Sequence, residues 1–124
     1  MANPNIVNVT AIYGLTTIGA LTSTLTTVLL SNAASSGSVN KVEGILISNV
    51  NATLNASVTL SIAPNDDGSG TARAIANLIN VPALSSLQLI DKNSTFYLNE
   101  DTAIIGGAST TPILEYVISY ENIS

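Results

Sequence analysis

Ser57-Val58-Thr59-Leu60-Ser61-Ile62-Ala63 alternates polar and apolar residues without a break. A period of two is the signature of a strand with one face on a core and the other toward solvent. Val58, Leu60 and Ile62 form the inner set; Ser57, Thr59 and Ser61 form the outer one. The run is closed by Pro64-Asn65-Asp66-Asp67-Gly68-Ser69-Gly70, a dense turn signal. On the other side, Asn49–Asn55 reads as a turn.

Outward from this element the same period recurs. Val39–Val50 is a strand in which Gly44 suggests a bulge. In Ile113–Tyr120, Leu114, Tyr116, Ile118 and Tyr120 share one face. Ser86–Ile90, Phe96–Leu98 and Thr102–Gly106 are short strands, with a turn at Asp91–Thr95. Thr71–Val81 reads two ways: its alanines suit a helix, whereas Ile75, Ile79 and Val81 share a strand face, and Pro82 ends it. Near the N-terminus Ile6–Tyr13 alternates. Leu21–Leu30 sets Leu21, Leu25 and Leu29 against Thr22, Thr24 and Thr26; its threonine density favours a strand over a helix. Ser31–Ser38 is a loop. The expectation is one all-β domain over residues 1–124, an antiparallel, jelly-roll-like β-sandwich of about eight or nine short strands.

The composition removes most chemistry. A chain of 124 residues can build a core without disulfides or metal. With no Cys, a disulfide scaffold, a zinc–thiolate site and a cysteine nucleophile are excluded. With no His, the commonest general base and metal ligand are absent. The only cations are Lys41, Arg73 and Lys92, too few for a basic stripe on nucleic acid or an anionic membrane. No run is long and apolar enough to span a bilayer, and the first residues do not read as a signal peptide.

The remaining candidates favour bland readings. Asp66 and Asp67 lack the spacing of a calcium loop and read as a hairpin turn. Glu100 and Asp101 are neighbours at a turn and read as solvated. Gly68-Ser69-Gly70 and Gly106-Gly107 lack the Lys-Ser/Thr of a phosphate loop. The Asn-X-Ser/Thr triplets at Asn8, Asn51, Asn55, Asn93 and Asn122 are what chance supplies in so polar a chain. Tyr13, Tyr97, Tyr116, Tyr120 and Phe96 read as packing residues. No catalytic residue, cofactor site or metal site is expected, nor enzymatic activity.

Charged residues make up 9% of the chain, against about 25% in a typical soluble domain. A surface of Ser, Thr and Asn costs less to desolvate than one of charges, so the composition is that of a subunit in an assembly. Two hydroxyl-rich sets, Thr22, Thr24 and Thr26, and Ser57, Thr59 and Ser61, are the interface candidates.

Several segments resemble small virion structural proteins of tailed phages that infect marine cyanobacteria and related bacteria. These are Met1–Val9, Lys41–Val50, Val81-Pro82-Ala83-Leu84-Ser85-Ser86-Leu87-Gln88-Leu89-Ile90-Asp91-Lys92 and Tyr97-Leu98-Asn99-Glu100-Asp101. Ser119-Tyr120-Glu121-Asn122-Ile123 is similar to the family's acidic tail, from which Asn122 departs. The resemblance implies a structural part of the particle, made in the host cytoplasm. The expectation is a capsid decoration (cement) protein, a homotrimer on the outer head surface that braces the major capsid protein. A neck or tail protein and a carbohydrate-binding β-sandwich are the alternatives.

Overall fold

The computed structural model describes residues 8–110 and 113–124. Its strands are β1 (Ile12–Ala20), β2 (Val28–Asn32), β3 (Val39–Asn49), β4 (Ala56–Ala63), β5 (Arg73–Val81), β6 (Ser86–Ile90), β7 (Phe96–Leu98), β8 (Thr102–Ala108) and β9 (Leu114–Ile123). Two antiparallel sheets face each other. The first has the order β1-β9-β3-β6, with β7 also on β3; the second has the order β2-β8-β4-β5. β6 pairs with Ile45–Ser48 and β7 with Asn40–Val42, so together they act as one broken strand.

This order has a simple origin. β1 pairs with β9, β2 with β8, β3 with β6 and β7, and β4 with β5. The chain is thus a single antiparallel ribbon that runs out through β1–β4 and returns through β5–β9. Rolling the ribbon up adds the β3·β9 and β4·β8 pairings and closes a jelly roll.

The alternating residues meet between the sheets. Val42, Ile45, Ile47, Leu114 and Ile118 of the first sheet pack with Val58, Leu60 and Ile104 of the second, all fully buried. A smaller cluster of Ala63, Ala103 and Ile105 lies on the other side of the second sheet. There the β4–β5 loop folds back, and Gly68, at φ +87°, lies against Ile105 and Val28. Two buried asparagines pin the ends of the sandwich. Asn32 Nδ2 donates to the carbonyls of Ser38 and Leu98. Asn49 Nδ2 donates to those of Leu54 and Val81. In a chain so poor in charge, amides do this work.

Most expected elements stand. Gly44 sits at a register shift in β3, as expected of a bulge. The ambiguous Thr71–Val81 segment is β5, a strand. Three expectations are corrected. The first strand is Ile12–Ala20, not Ile6–Tyr13, of which Ile6 and Val7 lie outside the described residues. β9 offers partners along all of Ile12–Ala20 and thereby sets where β1 lies. Leu21–Leu30 is not one strand: residues 21–27 form a loop, and β2 takes in Val28–Asn32, including Ser31 and Asn32 of the expected loop. Leu21 is buried while Leu25 is exposed, so the leucines do not share a face. The threonine hydroxyls hold the loop instead. Thr24 N donates to Thr22 Oγ1, and Thr27 Oγ1 donates to Thr24 O, which competes with the strand ladder. Finally, Glu100 is buried rather than solvated.

Candidate interaction surface

Successive connections of the ribbon alternate between the two ends of the roll. Loops 21–27, 50–55 and 82–85 gather at one end with Ser109, Thr110 and Ile113 of the β8–β9 connection. Their contacts are direct: Leu84 N donates to Asn51 O, Val50 N to Ile113 O, and Ser109 N to Ser57 O. Ala83 N donates to the side chain of Asn55. Loops 33–38, 64–72 and 99–101 gather at the other end. There Ala34 N donates to the Asp66 carboxylate, Asp66 N to that of Asp101, and Asp101 N to Asn32 O.

The two ends differ in charge. The four loops of the first end contain no Lys, Arg, Asp or Glu. The nearest charge is Glu115, at the start of β9. All three cations and the other seven acids lie along the middle of the sheets or toward the opposite end. The uncharged end is also apolar at its tips: Leu25, Val50, Leu54 and Leu84 are all exposed, Leu84 at 71%. Leu84 holds a φ of 57°. A bulky residue rarely adopts that region, where the Cβ crowds its own backbone at a cost of about 1–2 kcal/mol. The strain leaves a large apolar side chain in water and so calls for a function.

A second apolar region runs across the outer face of the first sheet. Ile18, Val117 and Leu46 are register neighbours on β1, β9 and β3, all exposed. A shallow groove of about 340 Å³ lies beside them, lined by Ala20, Ser48 and Glu115 among others.

One of the two sequence-derived interface sets takes another place. Thr22, Thr24 and Thr26 lie in the 21–27 loop, not on a strand face. The carbonyls of Thr22 and Thr24 close over Gly107, leaving no room for a Cβ. Ser57, Thr59 and Ser61 do share the outer face of β4 and are half-buried there. Thr59 pairs with Gly107, so the two sets come near each other on the second sheet's outer side. Part of their polar capacity is used internally: Thr59 Oγ1 accepts from Leu78 N. The hydroxyls stand out in the composition; the exposed leucines do not stand out in the sequence, because an apolar residue in a turn has no period to reveal it.

Most of the carboxylates are engaged by the chain itself. Asp67 Oδ1 accepts from both Ser69 N and Ser69 Oγ, which holds its pKa below the ordinary value. Among the described residues, no three Asp or Glu side chains converge as a metal site would require. The tyrosines do not form a sugar-stacking platform. Tyr116 and Tyr120 pack on the core, and the register puts Tyr13 and Tyr97 on opposite faces of the first sheet.

One charged cluster follows from the bulge. Glu43 is the extra residue between Val42 and Gly44, and it reaches both Lys41, at 3.7 Å, and Glu121. The hydrogen bond with Glu43, then burial and the Glu43 charge, push Glu121 above the ordinary carboxylate value, while Lys41 pulls it down. A folded pKa above the unfolded one means the folded state binds the proton more tightly, so this pair costs stability above that pKa. Glu121→Gln is expected to melt higher than the parent at neutral pH. The gap should close as the pH falls through the raised pKa toward 4.5. Paired thermal melts across that range check it; a gap independent of pH would remove the carboxyl pair as its cause.

No family model and no curated protein matches the chain. Among solved structures, a chain from the crystal structure of the T13 IBDV viral particle superposes with a TM-score of 0.52 at 14% identity. The match covers 91% of this chain and 30% of that one. That likeness is one of fold.

Proposed function

We propose that this chain is a structural protein of a virion, bound to its neighbours through the uncharged end of the jelly roll. The observation that carries the reading is the sorting of charge. The connections at one end carry no charge and present four exposed aliphatic tips, while Asp66, Asp67, Glu100 and Asp101 lie in the loops of the other. Interface cores are depleted of charge in the same way. The shared fold with a chain of a viral particle supports the particle setting. The resemblance to small structural proteins of tailed phages supports a finer assignment: a decoration protein on the outside of the head, a homotrimer that braces the major capsid protein. Such a role needs no catalytic group. Many copies on a symmetric lattice would hold through avidity what one small contact cannot.

Quantitative mass spectrometry of purified particles tests this reading. The expected result is a copy number matching the capsid lattice, as one trimer for each local three-fold. A small fraction of the major capsid protein would move the chain to the neck or tail. Absence from particles would end the virion reading.

A further inference from the structure

The free edge of the first sheet carries an inference independent of the loop end. β1 pairs with β9 from Ile12↔Ile123 to Ala20↔Glu115 without a register shift, and among the described residues no strand pairs with its other edge. Proteins usually protect such an edge with charge, proline, a bulge or a cover. Ile12–Ala20 has no charged residue and no proline, and it is exposed at all positions but Thr17 and Gly19.

We propose that β1 pairs antiparallel with β1 of a second copy, across a two-fold axis at Thr16. Such a contact must be self-complementary, and the sequence around Thr16 is. Ile12 would stand opposite Ala20, Tyr13 opposite Gly19, Gly14 opposite Ile18, and Leu15 opposite Thr17. Each larger side chain meets a smaller one. A Cβ at Gly14 would meet nothing within 4 Å, and the copy's Ile18, 72% exposed, fills that space. Tyr13 comes over the copy's Gly19, where the ring of that copy's Tyr116 already lies, and the two rings meet. Moving the axis to Leu15 would set Leu15 on itself and Ile12 against Ile18, which loses the match.

Charge allows the same arrangement. A charged residue on a two-fold axis would face its own copy, and Thr16 is neutral. On β9, Glu121 and Glu115 lie beside Gly14 and Ala20, which the pairing sets against the copy's Ile18 and Ile12. No carboxylate is brought against another. On a capsid such a two-fold would join one cluster of copies to the next.

Cysteine cross-linking of the purified protein tests the pairing, and the chain has no cysteine of its own to confuse it. Facing residues of an antiparallel pair have Cα atoms about 4.5–5.5 Å apart, within disulfide reach. Thr16→Cys is expected to oxidise to a covalent dimer. Ile12→Cys should not, because the two copies of residue 12 would lie about 26 Å apart. A mixture of Ile12→Cys and Ala20→Cys should cross-link. Thr16→Lys should run as a monomer in sedimentation with its circular dichroism spectrum unchanged, melting lower than the parent only by what the lost association contributed. Equal cross-linking of Thr16→Cys and Ile12→Cys, cross-linking of neither, or a parent that sediments as a monomer where Thr16→Cys is oxidised would overturn the proposal. All of these are read without virions, so they stand apart from the copy-number result.

Discussion

Gly106→Ala is expected to lose about 3 kcal/mol of folding stability, and Gly106→Val to yield little folded protein. Gly106 lies in the middle of β8, paired with Leu60 of β4. A Cβ there would lie 2.4 Å from the carbonyl oxygen of Thr59 and 2.4 Å from Leu60 Cδ2. The leucine end could turn aside, but the Thr59 carbonyl belongs to the ladder and moves only if β4 moves. Gly107 blocks the other escape: its own Cβ would run into the carbonyls of Thr22 and Thr24. β8 is therefore clamped between β4 and the 21–27 loop. Domains of this size are stable by roughly 5–15 kcal/mol, so the loss is a large share. It should appear as a fall of roughly 10 °C in the melting temperature. Gly44→Ala is the control, since the nearest atom to its Cβ position is Ile90 O at an ordinary 3.7 Å. Circular dichroism melts of the two variants should differ by nearly the whole effect. Equal melts would mean that β8 is not held as described.

Leu84→Asp combined with Leu54→Asp is expected to cut occupancy on particles by thirtyfold or more while the isolated protein folds normally. Apolar anchors at the centre of an interface cost about 2 kcal/mol or more when lost, and a carboxylate adds its own desolvation. Both leucines are exposed, so the fold does not depend on them. Leu84→Gly sharpens the test. Glycine is at ease at the φ of 57° that Leu84 holds, so this variant should be more stable than the parent by roughly 1 kcal/mol. It should nevertheless bind particles less well. Opposite movements of stability and binding at one residue mark a side chain kept for contact. Rebinding to particles stripped of the protein, read by mass spectrometry, measures the binding half. Parent-level occupancy for both Leu84 variants would exclude the loop end as the contact.

The proposed decoration role and the proposed edge pairing ask different things of the molecule. The first needs the leucine-tipped loops, and the second needs the nine residues of β1. Neither needs the hydroxyl sets chosen from composition, although Ser57, Thr59 and Ser61 remain half-buried on an outer face. Composition correctly signals a surface poor in charge, but it does not say where the bare surface lies. Position within the roll does.

The strands whose two faces see different surroundings were legible in the sequence. β4, β3 and β9 put Val58, Leu60, Ile45, Ile47, Leu114 and Ile118 on the core, and water on one side against a core on the other imposes the period of two. The bulge at Gly44 and the turn at Asn65–Gly70 were legible because glycine's freedom and asparagine's hydrogen bonding act locally. Elements whose state depends on distant partners were not. β1 has little contrast between its faces, and the ten-residue length of β9 placed it. The 21–27 loop has the leucines and threonines of a strand, but the carbonyls of Thr22 and Thr24 are drawn over Gly107 and that of Thr27 accepts from Gly106 N, about eighty residues away in the chain. Glu100 has the neighbours of a surface turn, and burial by the fold overrules them. The sorting of charge to one end depends on winding too. The sequence shows which connections are neutral, but only a ribbon rolled on itself brings alternate connections to the same end.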